Sequence, residues 1–433
     1  MPLAYIPAFI IALLLFFESL LSKRDFLSPA RIYLFAHSIT FGVAFLAVDK
    51  AMTPFKGLTN LVYFGSGICF LLGVWIVGLL PGAESLSSTR PLDIQRYNWK
   101  RHIYFSFALF FIFLMGMLIA YKGIGEFPLL AKDQSVAIRK FFLVSWISSV
   151  SLSYGGITMA LFFVAIFRPR VGSRFFNSAF WMCLVTGLIY SLALSRSGLI
   201  FFACFATVFF HQAIKRISLG KMSLFLILFF SIFMITAYLK LGNFQKENQL
   251  NVEPKKLAML MLKFPYVYIA NNFWNLDYAL NNENFRDRHP PTYGFTTISG
   301  LLDMMTFPGG NLGAHIREGA GFDDQFHAQA VKIKGINTMG YQWGLYKDFG
   351  ILGVLLLPFL FGILIKILYL RMREAPNIFN LTVYSYLSFF VAMSWFLAFW
   401  ESMIYLNGLI FVAGTSYFCH VTYKRSFFNE SAK

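Results

Sequence analysis

Residues 188–210 read "LIYSLALSRSGLIFFACFATVFF", two apolar runs meeting at the polar corner Ser195–Arg196–Ser197. No acidic residue in the stretch is available to pair with Arg196. With its flanks, each run is long enough to cross a hydrocarbon core about 30 Å thick. The stretch therefore predicts two membrane helices, near 177–194 and 198–214, folded into a tight hairpin with Arg196 at its tip. A guanidinium costs about 2.5–3.5 kcal/mol at the centre of a membrane helix. Arg196 thus belongs at a helix end, where it either snorkels to headgroups or meets an incoming anion.

The rest of the chain has the same character. Of its 433 residues 58% are hydrophobic, 19% aromatic and only 13% charged, and the mean hydropathy is +0.62. Soluble domains carry about 25% charged residues, so the chain reads as an all-α polytopic membrane protein. Eleven spans are expected, near 3–21, 31–48, 61–80, 103–121, 147–167, 177–194, 198–214, 222–241, 350–370, 381–399 and 403–421. The fifth is interrupted by Gly155 and Gly156. "MPLAYIPAFIIALLLFFESLL" lacks a basic leader and a small-residue cleavage site, so it reads as a retained span. Cys69, Cys183, Cys204 and Cys419 all lie in apolar runs, which argues for packing rather than a disulfide or metal framework.

The net charge of +17 does not imply nucleic acid, because most Lys and Arg flank spans. One set of short connections and the C-terminus carries 18 basic residues, against 7 for the opposite set. Basic residues favour the cytoplasmic side, so the C-terminus is expected inside and the N-terminus outside. The chain then forms one membrane domain, 1–433, with eight spans in 1–240, an outer loop over 241–349 and three spans in 350–433. Within the loop, 256–282 has apolar residues at near-helical spacing and fits a helix along the membrane surface.

Motifs for nucleotides or metals are absent. The chain has no Walker A sequence, no strand followed by GxGxxG, no HExxH and no cytoplasmic DxD pair. Metal-independent chemistry without a cofactor is expected. The outward polar residues stand out instead. Arg139, Arg196 and Arg317 lie on the side that basic residues avoid, and the guanidinium fork matches phosphate oxygens. Ion pairs with Glu126 for Arg139 and Asp323 for Arg317 are the structural alternative. "KGINTMGYQWGLYKDFGILGVLLLPFLFGIL" (334–364) brings Asn337, Thr338, Tyr341, Tyr346 and Asp348 to the mouth of the ninth span. Bases for a hydroxyl are His327, His315, Asp348 and Glu401, of which neutral His327 suits neutral pH best. Asp323 and Asp324 could orient it or bind sugar.

"SRSGLIFFACF" and "INTMGYQWGLYKDFGILG", on either side of a long outer loop, together with "IGEFPLL" and a following Arg, resemble the Wzy-type O-antigen polymerases. The residue-level likeness covers about 40 positions. It implies a GT-C-like bundle in the bacterial inner membrane with a periplasmic active face. It also implies transfer of a growing glycan from undecaprenyl pyrophosphate onto a new lipid-linked repeat unit. Expected partners are undecaprenyl-pyrophosphate-linked glycans, membrane lipids and a chain-length regulator protein. Arginines would neutralise the pyrophosphate. Tyr266, Tyr268, Trp274, Tyr278, Tyr293 and Phe295 offer faces for sugar stacking. O-antigen ligases share this architecture. A transporter of the lipid-linked oligosaccharide is the other alternative; it would use charges near the midplane, for which Glu18, His37 and Lys366 are the candidates inside the spans.

Overall fold

In a computed structural model of the chain, the described residues are 14, 25, 27–45, 57–80, 92–128, 130, 131, 137, 145–192, 196–214, 217, 254–288, 291–305, 339–396 and 398–430. They are helical, with a single isolated bridge between Asp93 and Asn377. The helices are α1 Pro29–Phe45, α2 Gly57–Gly78, α3 Trp99–Ile124, α4 Ser145–Ile166, α5 Arg168–Val171, α6 Ser173–Leu192 and α7 Arg196–Ala213. They continue with α8 Pro254–Asn281, α9 Glu283–Arg288, α10 Ser299–Met305, α11 Gln342–Glu374, α12 Ile378–Met393 and α13 Met403–Glu430. Nine of the expected spans coincide with described helices, and those at 3–21, save residue 14, and 222–241 lie outside the described residues.

Local chemistry sets several ends. Asn98 accepts the Arg101 N–H to open α3, and Gly125, at φ 86°, closes it by donating to Tyr121 O. Asn377 caps α12 through the Asn380 N–H. By length and composition α2, α3 and α11 can each cross a membrane. Leu352, Leu356, Leu360 and Leu364 form an exposed apolar stripe along α11. Four leucines at i, i+4 spacing facing outward suit hydrocarbon, not water.

Glycines set the closest helix contacts. A Cβ at Gly73 would collide with Phe359 O, and one at Gly362 with Phe70 O, so α2 and α11 touch backbone to backbone. Gly155 and Gly408 join α4 to α13 in the same way, each Cβ position lying 3.2–3.4 Å from the other's Cα. Gly155 and Gly156 therefore do not interrupt their helix; α4 runs unbroken through them. Gly198 admits Tyr154 of α4 beside the start of α7. α6 ends at Leu192 and α7 begins at Arg196, and α7 packs chiefly on α12 through Phe201, Tyr386 and Phe389.

At one end of the bundle, Asp25 is buried and its two oxygens take donors from five other residues. Oδ1 accepts from Leu27 N (3.0 Å) and His211 Nε2 (3.2 Å). Oδ2 accepts from Tyr369 OH (2.6 Å), Gln212 Nε2 (3.1 Å) and Arg373 Nη1 (3.2 Å). His211 Nδ1 accepts the Ile217 N–H, which puts the ring proton on Nε2, facing Asp25. Burial raises the Asp25 carboxyl, but the hydrogen bonds from His211, Tyr369, Gln212 and Leu27 outweigh it and hold it well below the usual carboxylate range. Arg373, one of the 18 basic residues counted for the cytoplasmic side, is 6% exposed and ion-paired here.

α8 is helical, as its spacing indicated, but it does not lie as an isolated surface amphipath. It packs on α1 and α2 and buries Asn271, Asn272, Asn275 and Asp277. Thr59 donates to Asp277 Oδ1 at 2.6 Å, and Asn281 bridges both residues. Apolar spacing located the helix; its polar residues make much of its packing face.

Candidate functional site

The opposite end of α11 assembles a polar cluster. Its helical axis breaks at Gly350, whose φ 61° and ψ −147° are essentially reserved to glycine. The break separates the two turns carrying Gln342–Phe349 from the long apolar segment. At 1.5 Å per residue, the segment from Gly350 to Arg373 is on the order of 35 Å long. The cluster and the Asp25–Arg373 knot therefore stand at opposite ends of one apolar helix.

Asp348, 2% exposed, anchors residues 292–297 to the helix. Thr292 Oγ1 donates to Oδ1 in a very short hydrogen bond, and Thr296 N adds 3.1 Å. Thr297 donates to Oδ2 from both N and Oγ1 at 2.6 Å. Four donors occupy this carboxyl group and tie the turn to α11. The turn includes Tyr293 at φ 48°, a left-handed conformation costing about 1–2 kcal/mol for a non-glycine residue. Tyr293 projects outward, 77% exposed.

Glu401 sits in the 3-10 turn Phe399–Glu401 between α12 and α13. Its Oε1 is sealed from solvent and has no hydrogen-bond partner among the described residues. A Cβ at Gly344 would overlap that oxygen, so this glycine makes room for the carboxyl. Burial, reinforced by neighbouring Asp348 and opposed by Lys347, raises the Glu401 carboxyl well above its ordinary range. Two acids are thus neighbours in contrasting surroundings, Asp348 with four donors and Glu401 with an Oε1 that has none. Burial with no partner at Oε1 favours the neutral form of the Glu401 carboxyl. Ser299 Oγ donates to Glu401 O at 3.2 Å and ties α10 to the same turn.

Tyr341 is buried at the head of α11. Its ring meets Trp400 edge-on at 5.8 Å, its hydroxyl lies 3.3 Å from Tyr33 OH, and its N–H donates to Ser394 O. Ser394 Oγ donates to Val391 O and so accepts from His37 Nε2 at 2.8 Å, leaving His37 Nδ1 to accept from Tyr63 OH. The His37 chain fixes the connector carrying Trp400 and Glu401 to α1 and α2.

The structure thus brings Asp348, Glu401, Tyr341 and Tyr293 to one end of the bundle. Trp274 lies on α8, stacked on Tyr278 at 5.5 Å. Arg196 is the first residue of α7, with its side chain outside the described residues. Five residues on, Phe201 meets Tyr405 in the first turn of α13 at 5.9 Å, so the backbone of Arg196 starts at the Glu401 end. Arg139, Arg317, His315, His327, Asn337, Asp323 and Asp324 lie outside the described residues. Among the described residues no group of three or more His, Cys, Asp or Glu could hold a metal ion. Sequence reasoning passed over Gln342 and Trp400, neighbours of residues it singled out; the quoted segment "GYQWG" signalled only a helix start. No protein-family model matches the chain, and neither does any curated protein or solved structure.

Proposed function

We propose that this chain is a metal-independent membrane glycosyltransferase that polymerises lipid-linked oligosaccharide repeat units of O-antigen or a related surface polysaccharide. In this reading it crosses the bacterial inner membrane eleven times as a GT-C-like bundle, with 241–349 and the Glu401 end facing the periplasm. The observation that carries it is the division of the molecule. Tyr341, Asp348, Glu401 and the start of α7 gather at one end of the apolar helices, and Asp25, His211 and Arg373 gather at the other. This is the arrangement that the basic-residue bias and the family likeness both require.

The chemistry follows from the substrate. A hydroxyl of the incoming repeat unit attacks the anomeric carbon of the growing chain, and the bond to undecaprenyl pyrophosphate breaks. The hydroxyl proton passes to a base, for which His327 is the candidate. The leaving group keeps the electron pair, and guanidinium donors stabilise its growing charge. Arg196 is assigned that role, joined by Arg139 and Arg317, while Asn337, Tyr341, Tyr293 and Trp274 are assigned to the glycan.

Deletion of the gene followed by a lipopolysaccharide gel tests the reading. Loss of a polymerase leaves lipid A–core with one repeat unit. Bare core with polymer stranded on carrier lipid would instead identify a ligase, and repeat units held inside the cell a flippase. Complementation adds a sharper measurement. Arg196→Ala removes a charge-assisted contact typically worth ~1.5–3 kcal/mol, so turnover falls on the order of 10- to 100-fold. Arg196→Lys restores only part, having lost the fork. Wild-type polymer length from well-expressed Arg196→Ala protein rejects the pyrophosphate role.

Topology is checked separately. A reporter fused after Lys433 is expected to be active only as a cytoplasmic fusion, and one inserted after Asn282 only as a periplasmic one. The reverse pattern at both sites overturns the orientation.

A further inference from the structure

The first turn of α11 holds polar atoms that the protein itself leaves unsatisfied. Gln342 is fully buried, yet neither Oε1 nor Nε2 has a hydrogen-bond partner among the described residues. Trp400 Nε1 and Glu401 Oε1 share that condition. Native interiors rarely leave such groups orphaned, and three around one turn call for a partner.

Their placement is built. Gly340 leaves space for the Gln342 amide oxygen and Gly344 for the Glu401 carboxyl, since a Cβ at either glycine would overlap the oxygen. Tyr341, between those two glycines in the chain, holds Trp400 at 5.8 Å between ring centroids. The three groups therefore gather around the head of α11.

The donor and acceptor set identifies the class of ligand they fit. The amide offers two N–H donors and an acceptor oxygen, the indole one donor, and the carboxyl group a donor and acceptors. No cation is among the three. Lys347 acts on Glu401 electrostatically but is opposed there by Asp348. An anion would meet two acidic side chains, whereas a neutral ligand dense in hydroxyls matches every atom.

We propose that Gln342, Trp400 and Glu401 form a saccharide subsite, in which Gln342 selects the hydroxyl pattern of the glycan unit. The proposal rests on the glycan reading above and places the sugar at the head of α11, apart from the arginines assigned to pyrophosphate.

The test uses the full-length protein in lipid nanodiscs. One probe is the repeat-unit oligosaccharide released by mild acid from the producing strain's lipid-linked precursor, and the other is inorganic pyrophosphate. Titration calorimetry and ligand-free thermal melting are compared for wild type and Gln342→Met. The variant is expected to bind the oligosaccharide about tenfold more weakly or worse, because a hydrogen-bonded contact to a buried group is lost. Its pyrophosphate binding should match wild type. It should also melt at the same or a higher temperature, since an orphan amide has been replaced by an apolar chain of similar size. Unchanged oligosaccharide binding overturns the subsite but leaves the glycan reading standing. Absence of oligosaccharide binding by wild type overturns both. A lower melting temperature with unchanged oligosaccharide binding shows an amide satisfied internally by water, and also rejects the subsite. Should Gln342→Met fail to fold, Gln342→Asn shortens the reach of the amide and is read by the same criteria.

Discussion

Arg373→Ala is expected to destabilise the protein by about 3–5 kcal/mol, because it leaves the buried Asp25 carboxylate without its cation. The measurement is the thermal midpoint of detergent-solubilised protein. The partner change Asp25→Leu together with Arg373→Met should recover most of the loss, since an apolar pair of similar volume carries no desolvation penalty. An Arg373→Ala protein as stable as wild type would show that the pair contributes nothing. The same carboxylate gives a pH dependence. Its folded value lies below the unfolded one, so its stabilisation is fully present above the unfolded value near 3.9. It is lost as the pH falls from there through the folded value. Tyr369→Phe removes the 2.6 Å donor and should move the onset of acid unfolding to higher pH.

Gly362→Leu is expected to abolish folding of the membrane-inserted protein. Its Cβ would meet the Phe70 carbonyl of α2, a backbone atom that no rotamer change can move. Overpacking a core typically costs about 1–3 kcal/mol, and collision with backbone lies at or beyond that range. Gly73→Leu should behave alike from the other side of the contact. Gly42→Ala serves as control, because a Cβ there meets nothing within 4 Å. Size-exclusion profiles of the fluorescently tagged proteins decide the matter: a monodisperse Gly362→Leu peak equal to wild type refutes the backbone contact.

The helices themselves were legible. Long apolar runs mark them, and α11, α12 and α13 fall where "ILGVLLLPFLFGIL" and its successors indicate. Pairings were not, because periodicity records which face is apolar and not what it meets. Gly155 looked like a break, since a helix-weakening residue and an interhelical contact read identically along one chain. Arg373 looked like a loop cation, because its partner Asp25 is 348 positions away. Of the site, Tyr341, Asp348 and Glu401 were visible as polar residues at the mouths of apolar runs. Their division of labour was not, since four donors on Asp348 and none on Glu401 Oε1 follow from how 291–305 docks.

The grip of Asp348 on Thr292 joins points 56 residues apart and turns the chain between them into a closed ring. In polymer terms, closing such a ring costs conformational entropy that grows only with the logarithm of its length, about 0.6 kcal/mol for each doubling. A grip across 56 residues is thus held at a cost that depends only weakly on that distance. The glycine contacts of α2 and α11 are the opposite case, since they tolerate not even one added methyl group.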